Sequence, residues 1–181
     1  MMKQWTIFQA KEDSKPFIVD VFRMLVGSNI EIFEQKEYME ILHTPFSFSQ
    51  IEAAFQSLEE DLNTTICLYQ TYPFEKNSVE KELILPYFLK QSYGKFQLKS
   101  LLSAIPSVLN PTPFLTFILE GSGIDATVIK AMGQADLNVS KAAGKLYMHR
   151  NTLLYKLDRL KQLKDFDLRT FTDCMLLYRL L

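Results

Sequence analysis

The sequence has little of what most secreted, membrane and catalytic proteins need. It contains two cysteines, two histidines and six glycines in 181 residues. Cys67 and Cys174 lie in separate apolar segments, so a disulfide framework is excluded and a reducing compartment is favoured. No apolar run approaches the length of a transmembrane helix, and Met1–Lys15 has no apolar stretch typical of a secretory signal. We therefore expect a cytoplasmic protein with no membrane contact.

The motifs of common enzyme classes are also missing. The sequence has no HExxH, CxxC, GxGxxG or phosphate-loop motif. The acidic run Glu59–Asp61 falls on a predicted helix, where successive side chains point in different directions, so a solvated surface is favoured over a metal or acid–base site. Gly121–Gly123 favours a hinge over a phosphate-binding loop. We therefore predict no enzyme activity, no catalytic residues, no cofactor and no metal site.

Charge is distributed unevenly along the chain. The formal net charge is −1, yet Asn138–Lys164 holds seven basic residues and one acidic residue, a net charge of +6. A basic segment in an otherwise acidic chain is typical of a surface that binds phosphates. The same charges also fit a solvated amphipathic helix with lysine and arginine on its outer face.

The pattern within this segment predicts two short helices joined by a tight turn. Asn138 or Ser140 begins the first helix, because a short side-chain oxygen can accept from free backbone N–H groups. Small residues follow, Tyr147-Met148 forms the turn, and a second helix spans His149–Lys161. Leucines recur in that helix at i, i+4 and i+7, which is the spacing of one buried stripe. This is the plan of a helix-turn-helix that enters the DNA major groove.

Ten residues of the segment are predicted to contact double-stranded DNA. His149 and Arg150 are expected to reach base edges from the start of the second helix, and Asn151 to pair with adenine or a phosphate. His149 has an equal alternative as a buried group that caps the turn. Phosphate contacts are expected from Lys141, Lys145, Lys156 and Arg159. The full predicted set is Ser140, Lys141, Lys145, His149, Arg150, Asn151, Thr152, Tyr155, Lys156 and Arg159.

These residues resemble a known family. The segment Asn138–Lys161 is similar to the C-terminal helix-turn-helix of the PucR/CdaR-type bacterial regulators of purine catabolism and sugar-diacid use. Their Leu-x-x-His-Arg-Asn-Thr-Leu core corresponds to Leu146–Leu153, and their Tyr-Arg-Leu to Tyr155–Leu157, with Lys156 where the family more often has arginine. The likeness extends over Ile124–Leu181, and in this domain the family is similar to the nucleoid protein Fis. The resemblance implies a transcription regulator that binds DNA as a homodimer.

The first half predicts an α+β domain, with a small antiparallel sheet and helices on one face. Predicted strands are Trp5–Phe8, Ile30–Phe33, Tyr38–Leu42 and Thr64–Tyr69, and predicted helices are Phe17–Val26, Ser47–Leu62, Asn77–Tyr93 and Phe96–Leu109. The segment Phe55–Pro73 resembles the middle domain of the same regulators, a degenerate relative of the diguanylate cyclase fold. That family is usually longer, so the resemblance implies a shortened version. The hairpin link Glu34–Glu37 lacks glycine, which disfavours cyclase activity.

Two prolines within Asn110–Pro113 indicate a linker. We therefore predict an α+β sensor or dimerisation domain at 1–110, a linker at 111–123 and an all-α DNA-binding domain at 124–181. The segment Leu168–Leu181 is apolar on more than one side, which favours a homodimer contact. A small-molecule effector of unknown identity is left open at the N-terminal domain. The alternative function is a protein-interaction or metabolite-binding module whose C-terminal helices serve only dimerisation.

Overall fold

The computed structural model describes residues 2–74, 78–105, 107–108 and 110–181. The chain divides between Leu101 and Leu102 into two compact units. The N-terminal unit combines a five-stranded sheet with helices, and the C-terminal unit is helical. The predicted fold class, α+β followed by an all-α domain, is therefore confirmed.

The sheet has the spatial order β2-β3-β1-β4-β5. Its strands are β1 Gln4–Gln9, β2 Glu31–Glu34, β3 Met39–His43, β4 Cys67–Gln70 and β5 Gly94–Phe96. The first four strands pair antiparallel, but β5 runs parallel to β4, so the prediction of a purely antiparallel sheet was wrong. With three residues, β5 is too short to show the alternating pattern by which a strand is detected in sequence.

Helices cover both faces of the sheet. The N-terminal unit contains α1 Lys15–Val26, α2 Phe48–Leu62 and α3 Val79–Phe88, and α4 Leu98–Ala104 spans the point where the units divide. Phe8 and Leu68 belong to the core formed with α1 and α2. On the opposite face the Tyr69 hydroxyl donates to Glu80 of α3 at 2.6 Å. The expectation of helices on one face was wrong, because β1, β3 and β4 are buried on both sides.

A proline lies inside one of the predicted helices without ending it. Helix α3 continues through Pro86 and ends at Phe88, although Pro86 has no N–H to donate to the preceding turn. The predicted start at Asn77 and the predicted break at Pro106 lie outside the described residues. The predicted linker 111–123 is largely helical as α5 Pro111–Leu119, because a proline in the first turn does not interrupt the helix. The functional boundary at residue 123 stays a prediction.

Four further helices follow α5 in the C-terminal unit. They are α6 Ala126–Gln134, α7 Val139–Lys145, α8 Arg150–Lys164 and α9 Phe171–Tyr178. Helix α6 contacts α7 and α9, α7 contacts α8, and α5 also contacts α8. The Asp125 carboxylate begins α6 by accepting from the backbone N–H groups of Thr127 and Val128.

Both cysteines are buried free thiols, as the sequence predicted. Burial raises the pKa of Cys67 to about 12 and also raises the pKa of Cys174. Each thiol is therefore held in its neutral form as a small apolar group of the core.

A cluster of charged side chains fixes the loop between α8 and α9. The Arg169 guanidinium donates to Asp167 at 2.7 Å and to Asp158 of α8 at 2.8 Å, and Lys161 lies 3.2 Å from Asp167. The hydrogen bond from Arg169 is the largest cause that lowers the pKa of Asp167 to about 2. Asp158, the one acidic residue of the basic segment, is therefore held in an ion pair on the flank of α8.

We predict that Asp167→Asn makes the unfolding free energy less dependent on pH in the acidic range. Because the pKa of Asp167 is lower in the folded chain, its contribution is present above about pH 4 and is lost as the pH falls through about 2. The variant should lose on the order of 1–2 kcal/mol of unfolding free energy at pH 6 and almost nothing at pH 2. Urea unfolding followed by circular dichroism measures both values. Asp136→Asn, at an exposed turn residue, is the matched control, and a difference that persisted unchanged at pH 2 would contradict the prediction.

Candidate nucleic-acid interface

Helix α7 begins where its cap can form. The Asn138 side chain accepts from the Lys141 N–H at 3.0 Å, so Asn138 rather than Ser140 begins the helix. Ala142 and Ala143 are buried in the middle of the helix and allow its neighbours to approach closely. Ser140, Lys141 and Lys145, the three residues of α7 predicted to contact DNA, are exposed.

The turn after α7 has a defined hydrogen-bond pattern. The Tyr147 N–H donates to the Gly144 carbonyl at 3.2 Å, and the Met148 N–H donates to the Ala143 carbonyl at 3.1 Å. This pair of bonds is the Schellman arrangement, which needs a left-handed residue just beyond the helix. Tyr147 occupies that position with φ of 52°. Residues 147 and 148 therefore form the turn, as predicted.

Helix α8 begins with a histidine cap. His149 Nδ1 accepts from the Asn151 N–H at 3.2 Å, and the His149 side chain is exposed. The capping alternative for His149 is therefore confirmed, but its expected burial was wrong. The helix extends to Lys164, three residues beyond the predicted end at Lys161. Three fully buried residues form its inner stripe: Leu153, Leu157 and Leu160.

The outer face of α8 is polar and open to solvent. The face opposite the leucines carries Asn151, Thr152, Tyr155 and Arg159. Counted from Asn151, the other three follow at one, four and eight positions, so the four side chains lie within an arc of about 100° around the helix. Tyr155 is 63% exposed, and Arg159 Nη1 donates to its hydroxyl at 3.4 Å. Arg150 is also exposed but lies at the first turn, nearer the leucine stripe. The arrangement leaves polar donors and acceptors along the solvent-exposed face of α8.

Comparison with known proteins matches this part of the chain. Residues 126–181 match the family model of the PucR C-terminal helix-turn-helix domain. The chain carries a PucR-type helix-turn-helix domain. Among solved structures, the chain is similar to the regulator of polyketide synthase expression from Bifidobacterium adolescentis, with 16% identity and a TM-score of 0.48 over 99% of this chain and 78% of that chain. No curated protein sequence matches the chain.

A PucR-type domain indicates a transcription regulator and a DNA partner, and the family points to regulation rather than catalysis. The described residues contain no group of three histidine, cysteine or acidic side chains that could hold a metal ion. No described helix has the length and apolarity that a membrane crossing needs.

The basic residues of the PucR-type domain are not equivalent. Lys141, Lys145, Arg150 and Arg159 are exposed, and within the described part of the chain none of the four forms a salt bridge. Lys164 differs, since its ammonium lies 3.4 Å from the centre of the Phe117 ring. Four of the seven basic residues of Asn138–Lys164 are thus exposed to solvent without an acidic partner among the described residues.

Lys156 departs from the rest of the predicted set. It is half-buried, and its side-chain carbons pass within 3.8 Å of the position that a Cβ on Gly123 would occupy. The pKa of Asp125 is lowered mainly by the Thr127 hydroxyl, and the charge of Lys156 lowers it further. Lys156 therefore lies beside the turn that precedes α6, a placement that the sequence pattern did not reveal.

One of the pockets that the described residues form lies in the N-terminal unit beside α1. A pocket of about 420 Å³ is lined by residues of α1, β2 and β3, and Lys15 lies at its wall. The Lys15 ammonium lies 2.7 Å from Glu12 and 3.1 Å from Glu34, and the hydrogen bond with Glu12 is the main cause that raises its pKa. The volume of the pocket is within the range of small-molecule sites. A small-molecule effector stays a prediction.

We predict that the two roles of His149 can be separated by substitution. His149→Ala removes the cap and should cost about 0.5–2 kcal/mol of unfolding free energy, whereas His149→Asn keeps a capping acceptor and should cost less. Thermal unfolding of both variants tests the cap. Binding of the folded His149→Asn variant to DNA then tests the imidazole. If His149→Asn were as unstable as His149→Ala, the capping role would be contradicted.

Proposed function

We propose that the chain regulates transcription by placing the N-terminal end of α8 in the DNA major groove. The observation that carries this proposal is the exposure of the predicted contact set, since every member except Lys156 is open to solvent on α7, α8 or the cap between them. A helix buried on one side only, with a polar outer face, is what the major groove accommodates.

Base recognition is proposed for the first turn of α8. Arg150 has the bidentate donors that match guanine O6 and N7, and Asn151 has the donor and acceptor that match adenine. Thr152 and Tyr155 follow on the outer face and extend the contact along the groove. His149 lies at the tip of the helix, where its cap leaves Nε2 directed away from the bond that Nδ1 makes with Asn151.

Phosphate contacts are proposed for residues on both helices. Lys141 and Lys145 lie one helical turn apart on α7, and Arg159 lies on the outer face of α8. Ser140 is at the first turn of α7, where the hydroxyl can donate to a phosphate oxygen. Lys156 remains in the proposed set, but because it is half-buried we expect a weaker contribution than that of the exposed cations.

A second copy of the chain is the proposed partner on DNA. Two helix-turn-helix units on one face of B-DNA must place their reading helices about 34 Å apart, so something has to fix that distance. On α9, Phe171, Met175 and Tyr178 form an exposed edge that is uncharged, so it can meet an identical edge without like-charge repulsion. Cys174 and Leu177 form the inner edge, whereas Leu181, predicted to join them, is exposed.

The competing function is a module that binds an acidic protein through the same basic surface. Such a surface needs cations but has no need of short polar side chains at a helix start. Asn151 and Thr152 are exposed at the first turn of α8, where they could read base edges, and this observation favours DNA.

We predict that Arg150→Ala weakens binding to the specific site by about 1–3 kcal/mol and weakens binding to random DNA less. Fragments selected from genomic DNA by the intact chain provide the specific duplex, and fluorescence anisotropy measures both affinities. A wild-type chain that selects no fragment would contradict the proposed function. Equal losses on both duplexes would instead make Arg150 a phosphate contact.

Lys141→Ala is the matched control, since it removes one positive charge that is proposed to contact a phosphate. The substitution should weaken binding to both duplexes alike. It should also reduce the magnitude of the slope of log affinity against log salt concentration by about one unit. An unchanged slope would remove Lys141 from the interface.

We predict that Phe171→Glu prevents dimerisation. A two-fold interface would place two identical carboxylates in an apolar contact, while glutamate at the start of α9 remains favourable for the helix. Sedimentation of the intact chain should show a dimer at micromolar concentration for the wild type and a monomer for the variant. Met24→Glu, at a residue of α1 that is 84% exposed, is the matched control. A variant that remained dimeric would move the contact to the N-terminal unit.

A further inference from the structure

Tyr147 holds an unusual backbone conformation for its residue type. Five described residues other than glycine have positive φ, and Tyr147 is the one aromatic residue among them. Asn63, Asp136 and Asp165 are of the types that tolerate the left-handed region, whereas a Cβ with a bulky ring does not favour it. The Schellman position that Tyr147 occupies is most often filled by glycine. The chain therefore keeps tyrosine where glycine would satisfy the turn with less strain.

The tyrosine side chain makes no contribution to the core that would explain this choice. Tyr147 is 99% exposed, whereas Leu137, the other large apolar residue with positive φ, is half-buried and packs within its unit. The turn is held by the backbone bonds of residues 147 and 148, which any residue able to adopt the conformation would make. Strain retained without a packing benefit indicates a role in binding.

Tyr147 lies close in sequence to the residues proposed to contact DNA. It precedes the cap His149 by two residues and Arg150 by three, so its Cα lies within about 11 Å of that of Arg150. The major groove is about 12 Å wide. If the start of α8 lies on the groove floor, the turn residue lies beside the groove wall, which is formed by phosphates and sugars.

We propose that the Tyr147 hydroxyl donates a hydrogen bond to a DNA phosphate at the wall of the major groove. This inference rests on the proposed function, because it requires α8 to enter the groove. The contact is neutral, so it adds affinity for any sequence and orients the turn on the backbone without releasing a counterion. In this respect it differs from the contacts proposed for Lys141 and Lys145.

The experiment compares Tyr147→Gly and Tyr147→Phe with the intact wild-type chain. Tyr147→Gly should keep or raise the melting temperature, because glycine relieves the strained turn. It should weaken binding about 10- to 150-fold, the usual size of one hydrogen bond to a charged group, on both the selected genomic fragment and a random duplex. The salt slope should stay unchanged, and Tyr147→Phe should show most of the same loss. Tyr93→Ser, at a tyrosine of the N-terminal unit that is 75% exposed, is the matched control.

Each other outcome overturns the inference. An unchanged affinity for Tyr147→Gly removes the side chain from the interface, and a loss on the genomic fragment alone makes it a base contact. If Tyr147→Phe binds with wild-type affinity, the hydroxyl makes no contact with DNA. If Tyr147→Gly has a lower melting temperature, the ring stabilises the fold. The proposed function is tested separately, since the wild type must bind DNA with the Arg150-dependent preference whether or not Tyr147 contributes.

Discussion

The one-sided burial of α8 is the constraint on which the rest of the C-terminal unit depends. Leu153, Leu157 and Leu160 are fully buried, and their spacing fixes the rotation of the helix about its axis. Once that rotation is set, Asn151, Tyr155 and Arg159 must face solvent. Burying one large aliphatic side chain contributes about 1.5–3 kcal/mol, so the same three leucines stabilise the domain and orient its outer face.

The ends of the helices determine where that face begins. Each helix end has backbone groups without a partner inside the helix. The side chains of Asn138 and His149 accept from such N–H groups at the starts of α7 and α8, and the backbone N–H of Tyr147 donates to a carbonyl at the end of α7. Because His149 closes the first turn of α8, the side chains of Arg150 and Asn151 project from an ordered end. A frayed helix end would lose conformational freedom on binding DNA, and that entropic cost would reduce affinity.

Much of this could be predicted from the sequence because the signals are local. Leucine spacing, short capping residues and the basic segment each depend on neighbours within one or two helical turns, and they located α7, the turn and α8. The parallel pairing of β5 with β4 depends on contacts distant in sequence, and no local pattern reports it. Likewise, no local pattern reports that Lys156 lies near Gly123, because this proximity depends on how α8 packs beside the turn before α6.

The burial of both thiols also limits how this protein can be controlled. Oxidation of cysteine proceeds through the thiolate, and the raised pKa of Cys67, at about 12, leaves almost none of that form at neutral pH. Cys174, on the inner edge of α9, is similarly buried with a raised pKa. Peroxide or disulfide exchange would therefore reach these sulfurs only after local unfolding. A folded copy should therefore not be switched through its cysteines.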